Sequence, residues 1–282
     1  MGNKQVATWS NYAAVDQDAN PEAYVKHMDT LRGVDAIQAY KQETFELLAL
    51  KPNSQALEVG CGPGTDAQAL AERIESSGKV IGLDKSEIMI AAAQERTRDL
   101  DLPLEYQVGD VYELDFEDAS FDACRADRVF HHLEEPEKAL GELVRVMRPG
   151  ANIVLAEPDF DACVLDSPDK FVTRAVLQKR SDLYPNGWCG RQLYSLFKKA
   201  DLVDIRIRPR IILFYDFETV DKQVLGLQDA AFRLVKSGDL EKQQVENWLA
   251  QLKQKSNERT FFCAGNVFIA SAQKPEVKES LL

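Results

Sequence analysis

Cysteine is scarce and scattered: Cys61, Cys124, Cys163, Cys189 and Cys263 are odd in number and contain no C-x-x-C pair. This excludes a disulfide framework and a zinc module and fits a reducing cytosol; Cys124 and Cys263 lie in strand-like runs and read as small buried hydrophobes. Positive charge is also in deficit, with 34 Lys and Arg against 46 Asp and Glu for a net charge of -12. Such a chain repels a phosphate backbone. The one dense basic stretch, residues 206–210, alternates like the polar face of a strand, so no nucleic-acid partner is expected. No run of eighteen apolar residues occurs, and the start from Met1 to Val6 has no apolar h-region. Gly2 does not make a myristoylation signal, because Val6 stands where Ser or Thr is needed. The expectation is a cytoplasmic protein with no stable membrane insertion, no bound metal and a small-molecule substrate. Internal repeats and low-complexity segments are absent.

What is present is a chain of 282 residues, 45% hydrophobic and 28% charged, long enough for one large α/β domain with insertions or a domain plus a cap. Its organising stretch is Leu57-Glu58-Val59-Gly60-Cys61-Gly62-Pro63-Gly64-Thr65, an apolar run ending in a glycine-dense turn, followed by the helix-like residues 66–71. Strand, tight turn and helix N-terminus follow from that order, and glycine lets a ligand approach the main chain. A dinucleotide fingerprint reads G-x-G-x-x-G; here the third glycine comes one residue early, at Gly64, and Thr65 takes the last position. Asp84 closes the next apolar run, Val80-Ile81-Gly82-Leu83, and Gly109-Asp110 closes the one after. The spacing is that of successive βα units in a parallel sheet, where ligands collect at the carboxyl ends of strands. Acids at three such ends suit a ligand with a ribose diol, an adenine amino group and an amino-acid tail, with no pyrophosphate to neutralise. S-adenosylmethionine has those parts.

Along the chain, residues 35–50 have helical spacing, strands are expected near 56–59, 79–83, 104–108, 121–125 and 152–156, and helices near 66–76 and 136–147. Beyond residue 160 the pattern predicts helices over 164–183 and 191–200, a strand over 204–213, helices near 218–237 and 240–256, and a last strand over 261–270. Trp9, Tyr12, Tyr24 and His27 stud a polar N-terminal segment that precedes the first strand, and that segment reads as a lid.

Glu58 to Gly64, Asp84, Gly109-Asp110 and the later Arg145-Val146-Met147-Arg148-Pro149-Gly150 resemble the motif series of class I S-adenosylmethionine-dependent methyltransferases. The nearest likeness is to small-molecule enzymes related to those of ubiquinone and menaquinone biosynthesis, and it is strongest over about residues 40 to 160. The resemblance implies an α/β, Rossmann-like sheet, mostly parallel, of seven strands with the last antiparallel, carrying helical lid and cap insertions. It divides the chain into a lid (1–35), a cofactor-binding core (36–160) and a remainder (161–282) that completes the sheet and adds substrate-cap helices. It also implies S-adenosyl-L-methionine as cofactor, S-adenosyl-L-homocysteine as product, and methyl transfer to O, N or C of a metabolite, with natural-product biosynthesis as the setting.

For the cofactor, the expectation is that Asp84 accepts from the ribose hydroxyls with Lys85 beside it, and that Met89 either packs in the core, the commoner role of a methionine at helical spacing, or covers a face of the adenine. Asp110 accepts from the adenine amino group, with Val111 on the ring. The turn Gly60, Cys61, Gly62 and Gly64 lies beneath the amino-acid tail, Glu58 either fixes that turn or contacts the tail, and Asp66 and Arg128 reach it. For catalysis, His131 and His132 are candidate general bases, since histidine titrates near neutrality. Adjacent residues at a helix start diverge by about 100°, so one is expected to face the pocket and the other to pack. Glu157 and Asp159 orient the base or a substrate amine, or cap a loop. Tyr12, Tyr24, Tyr184 and Trp188 are candidate aromatic walls, although ordinary packing is the favoured reading of each.

Arg125-Ala126-Asp127-Arg128 stands where amino-group nucleic-acid methyltransferases carry N-P-P-Y. A quinone-precursor C-methyltransferase is a narrower alternative. A nicotinamide-dependent oxidoreductase is disfavoured by Thr65 and Gly109-Asp110, and a cofactor-binding module without turnover stays open. Oligomeric state is not encoded in any of these patterns.

Overall fold

The computed structural model describes residues 12–276. Trp9, Gly2 and the first eleven residues of the expected lid lie outside them. A 3-10 turn at Tyr12–Gln17 leads into α1 (Glu22–Arg32) and α2 (Asp35–Leu47). Then come β1 (Gln55–Val59), α3 (Thr65–Ala71), β2 (Lys79–Asp84), α4 (Glu87–Thr97), β3 (Leu104–Val108), β4 (Phe121–Asp127), α5 (Pro136–Val146) and β5 (Met147–Pro158). The remainder supplies β6 (Val164–Leu165), α6 (Lys170–Ser181), α7 (Cys189–Lys199), β7 (Val203–Phe214), α8 (Phe217–Thr219), a π-helix (Val220–Leu225), α9 (Leu227–Ser237), α10 (Lys242–Asn257) and β8 (Cys263–Gln273).

Among the described residues one sheet forms, in the order β3-β2-β1-β4-β5-β8, with β6 and β7 both paired to β8. The first five strands are mutually parallel, and β8 runs antiparallel to β5, β6 and β7. The Rossmann-like expectation holds, with the two-residue β6 as an eighth strand. Alternation along β1 and β4 divides the interior: Ala56 and Ala123 meet α2 and α3, whereas Leu57, Val59, Cys124 and Ala126 meet α5 and α7. The strand order reverses between β1 and β4, so both open their carboxyl ends on one crevice.

The differences from the expected elements have local causes. Residues 164–183 do not form one helix: Val164 and Leu165 pair with Ala264 and Cys263, and Asp169 then caps α6 by accepting from the Phe171 and Val172 amides. Pro168 separates the two, since the residue before proline avoids the helical region. The expected helix over 218–237 is broken at Gly226, at φ +59°, after a π-helical turn. α3 stops at Ala71 rather than near 76. Strand β5 extends beyond 152–156 because its edge meets β8 as far as Pro158 against Val267. Within 206–210, Arg208 and Arg210 on β7 pair with Glu43 of α2, so this basic stretch is satisfied inside the fold.

Candidate active site

The glycine turn sits where the sequence placed it, and sterics explain it. Gly60 (φ +63°) and Gly64 (φ +82°) lie in the left-handed region, and a Cβ on them would come within 2.3 Å of Val129 Cγ2 and 2.4 Å of the Tyr106 hydroxyl. Gly64 is therefore a packing position, its carbonyl accepting from Tyr106 Oη at 3.1 Å. Asp84 at the end of β2 accepts from the Gly62 amide (2.8 Å) and the Ser86 amide (2.9 Å), and burial raises its carboxyl against those two donors. Each carboxylate oxygen keeps a further lone pair for a ligand. Asp110 accepts from the Tyr112 amide at 3.0 Å and Lys85 Nζ at 2.9 Å; burial opposes ionisation, but those two donors hold its carboxyl below the ordinary range.

Beneath the turn lies an ion network that the sequence reading missed. Glu58 of β1 and Arg125 of β4 are register partners, both buried, and their side chains pair. Arg125 also reaches Asp66 Oδ2 (3.2 Å) and donates from Nε to Thr44 Oγ1 (2.8 Å). Lys41 of α2 pairs with Asp66 (2.5 Å) and Asp127 (3.0 Å), and Tyr40 donates to Asp127 Oδ1 (3.0 Å). Burial raises the Glu58 carboxyl to about 7 despite Arg125, whereas for Asp66 the charges of Lys41 and Arg125 outweigh burial and lower it. Glu58 and Asp66 are thus both engaged by buried cations, Arg125 and Lys41. A charged residue in the middle of a buried strand, Arg125, was the available signal, because such a charge requires partners.

A cavity of about 430 Å³ runs over these elements. Gly60, Gly62, Asp84, Lys85, Met89, Gly109, Asp110, Val111 and Arg128 border it, as do Tyr12, His131, His132 and Tyr184. A small neighbouring pocket is bordered by Glu58, Cys61, Asp66, Lys41 and again Arg128. Arg128 adopts φ +60°, rare outside glycine, and its Nε lies 3.8 Å from Asp127 Oδ1 and, among the described residues, donates no hydrogen bond.

Both histidines border the cavity, against the expectation that one would pack: they follow Phe130 in a 3-10 turn, and their rings lie 4.0 Å apart. His131 Nδ1 lies 2.7 Å from Glu157 Oε2, while Glu157 Oε1 accepts from the Val129 and Phe130 amides at 2.8 and 2.7 Å. Burial and the nearby Arg128 and Arg180 push the imidazole down to about 3, and burial pushes Glu157 up to about 8 against its backbone donors. Glu157 stands behind His131 and does not border the cavity.

Asp159 is likewise buried away from it, held by Arg191, with Asn266 bridging its backbone. The structure also withholds two of the aromatic walls. Tyr24 is fully buried and donates to Asp18 at 3.0 Å, and Trp188 is half-exposed beneath the Arg191 guanidinium. Tyr184 does face the cavity, stacked on Phe160 at 4.3 Å.

The far wall, unforeseen from sequence, is apolar: Ile212 and Phe214 of β7, Leu225 of the π-helix, and Cys263 and Val267 of β8. The N-terminal segment contributes His27, which accepts from Tyr12 Oη at Nδ1 (2.6 Å) and donates from Nε2 to the Gln223 carbonyl (2.7 Å). That assignment follows from the carbonyl, which only accepts, and from burial, which lowers the imidazole to about 4 and keeps it neutral. Among the described residues no group of three or more His, Cys, Asp or Glu is placed to hold a metal ion, and no helix is long and apolar enough to cross a membrane.

A strand-turn-helix seat with acids at successive parallel strand ends defines an α/β nucleoside-binding protein. Comparison with known proteins narrows the class. The family model described as "Methyltransferase domain" matches residues 57–155. A protein of Streptomyces fradiae, described as an uncharacterized 37.1 kDa protein in transposon TN4556, is 38% identical over 250 residues, covering 88% of this chain and 71% of that one. Demethylmenaquinone methyltransferase of Bacillus cereus is 27% identical over 203 residues, covering 64% and 84%. The solved phosphoethanolamine N-methyltransferase 2 of Haemonchus contortus, in complex with S-adenosyl-L-methionine, shares the fold with a TM-score of 0.54 at 18% identity, over 83% of this chain and 53% of that one. The chain belongs to the class I S-adenosylmethionine-dependent methyltransferases.

Proposed function

We propose that this protein methylates a small, predominantly apolar acceptor, with the cofactor at the β1–β3 end of the cavity and the acceptor at the histidine end. The observation that carries the reading is the single cavity joining Asp84 and Asp110 to His131 and His132. Asp84 would accept from the ribose hydroxyls and Asp110 from the adenine amino group, with Met89 and Val111 against the ring. The amino-acid tail would lie over Gly60 and Gly62, its carboxylate accepting from the Arg128 Nε, which hydrogen-bonds to no described residue. S-adenosylmethionine supplies a methyl group already activated by the sulfonium charge.

The chain's own work is then to align and to exclude water, an effect worth about 7 to 11 kcal/mol when alignment is good. The described part of the N-terminal segment, with Tyr12, Val15, His27, Met28 and Leu31 on the cavity, acts as a lid tied to the cap through His27 and Gln223. With Glu157 ionised, His131 donates from Nδ1 and keeps Nε2 as a base for an acceptor hydroxyl. The carboxylates near the acceptor end are engaged by His131, Arg191, and Lys41 with Tyr40, which favours a neutral acceptor over a cationic amine.

The likeness to demethylmenaquinone methyltransferase supports a second reading, C-methylation of a quinone precursor, in which the same dyad deprotonates a ring hydroxyl. Calorimetry with S-adenosylhomocysteine against NAD, followed by transfer of labelled methyl into a metabolite extract, tests the proposal. Binding of NAD alone, or binding of the nucleoside with no label transferred, overturns it; the labelled atom separates the two readings.

A further inference from the structure

The far wall of the cavity contains a gap that neither backbone nor packing explains. Ile212 and Phe214 alternate inward on β7 while Ile211 and Leu213 are exposed, and on β8 Cys263, Gly265 and Val267 alternate inward. Gly265 is the register partner of Ile212. Glycine inside a strand is disfavoured by about 0.5–1 kcal/mol relative to alanine, and it marks a bulge, a bend or a close approach.

Other glycines of this site have evident reasons. Gly60 and Gly64 adopt left-handed angles, and the Cβ positions of Gly82 and Gly109 are each blocked at 2.8 Å, by Tyr106 and Leu83. Gly265 shares none of these: its φ is not left-handed, and a Cβ built there meets nothing nearer than a Phe214 ring carbon at 3.7 Å, an ordinary contact. The β7–β8 register runs unbroken from Arg206 to Phe214, so there is no bulge.

We infer that Gly265 is a specificity-determining position, left without a side chain so that an apolar part of the acceptor can lie against β8 between Ile212, Phe214 and Cys263. Among the described residues no charged side chain stands in this part of the wall, and the amide of Asn266, which also borders the cavity, is engaged by the Asp159 backbone, so the body received there is hydrocarbon-like. The inference rests on the proposed function, since it assigns the histidine end to the acceptor. It makes the size of residue 265 the limit on acceptor bulk.

The test uses 4-alkylphenols from 4-methylphenol to 4-octylphenol as probes, titrated by calorimetry into the full chain saturated with S-adenosylhomocysteine. Wild type should gain about fourfold in affinity per added methylene until the chamber is full. Gly265→Val and Gly265→Leu should weaken the long probes at least tenfold, spare 4-methylphenol, and leave S-adenosylhomocysteine affinity within twofold, with Gly265→Ala in between. Melting temperature should be unchanged or raised. Variants that bind the whole series like wild type overturn the inference, as does a wild type that binds no alkylphenol. A lowered melting temperature in the alanine and leucine variants alike would show that the fold needs this glycine, with the same consequence. Absence of S-adenosylhomocysteine binding in wild type removes the cofactor reading itself; retained binding with an unaffected series removes this inference alone.

Discussion

The two ends of the cavity are built on opposite principles. At the end proposed for the cofactor, carboxylates and backbone amides converge on a turn whose glycines are demanded by sterics, and nearly every contributing residue lies between positions 57 and 128. At the end proposed for the acceptor the wall is aromatic and aliphatic, and it gathers Tyr12, His131, Tyr184, Phe214, Leu225 and Val267 from across the chain. Directional groups specify one ligand through hydrogen bonds, whereas an apolar wall specifies only volume and shape. The first end is suited to a constant cofactor and the second to an acceptor that can differ between relatives.

The contrast is broken most severely from below the cofactor end. Arg125→Met leaves Glu58 without its buried partner and Asp66 with Lys41 alone, and should cost about 3–5 kcal/mol of stability; a denaturation midpoint equal to wild type would show that the network does not support the fold here. Next, His131→Ala should reduce methyl transfer roughly 100-fold or more while S-adenosylhomocysteine affinity stays within twofold. Undiminished turnover would confine His131 to packing.

The same dyad predicts a pH profile. The base-competent form needs Glu157 ionised, so the wild-type rate should rise with pH and level off above the Glu157 value of about 8. Glu157→Gln should flatten that rise, and a rise of the same shape in the variant would sever the carboxylate from the proton transfer. Asp84→Ala should weaken S-adenosylhomocysteine binding by about 1.5–3 kcal/mol, as for a hydrogen bond to a charged group; unchanged calorimetric affinity in a folded variant would unseat the ribose assignment. The smallest effect belongs to Lys85, whose ammonium is largely exposed beside Asp110. Lys85→Ala should shift nucleoside affinity by no more than about threefold, the scale of a surface pair, and a larger loss would mean that Lys85 touches the ligand directly.

What was legible before folding follows the same division. β1, β2 and β3 were readable because strand, turn and helix signals are local, and β3 coincides with residues 104–108. The lysine and arginine partners of the turn were not, because Lys41 and Arg125 acquire meaning only beside Glu58, Asp66 and Asp127. Tyr24 packs in the core, as ordinary packing favours, whereas Trp188 is half-exposed against the Arg191 guanidinium; aromatic character alone does not say what will cover a side chain.

By itself the sequence determined the parallel sheet, the glycine turn and the acids at the strand ends, since backbone sterics and periodicity act over neighbouring residues. Only tertiary structure decided that His131 leans on Glu157, that His27 bridges to Gln223, and that β7, β8 and the π-helix enclose an apolar chamber. Those contacts join residues from 26 to more than 190 positions apart, and their partners are selected by how the layers pack rather than by any pattern along the chain.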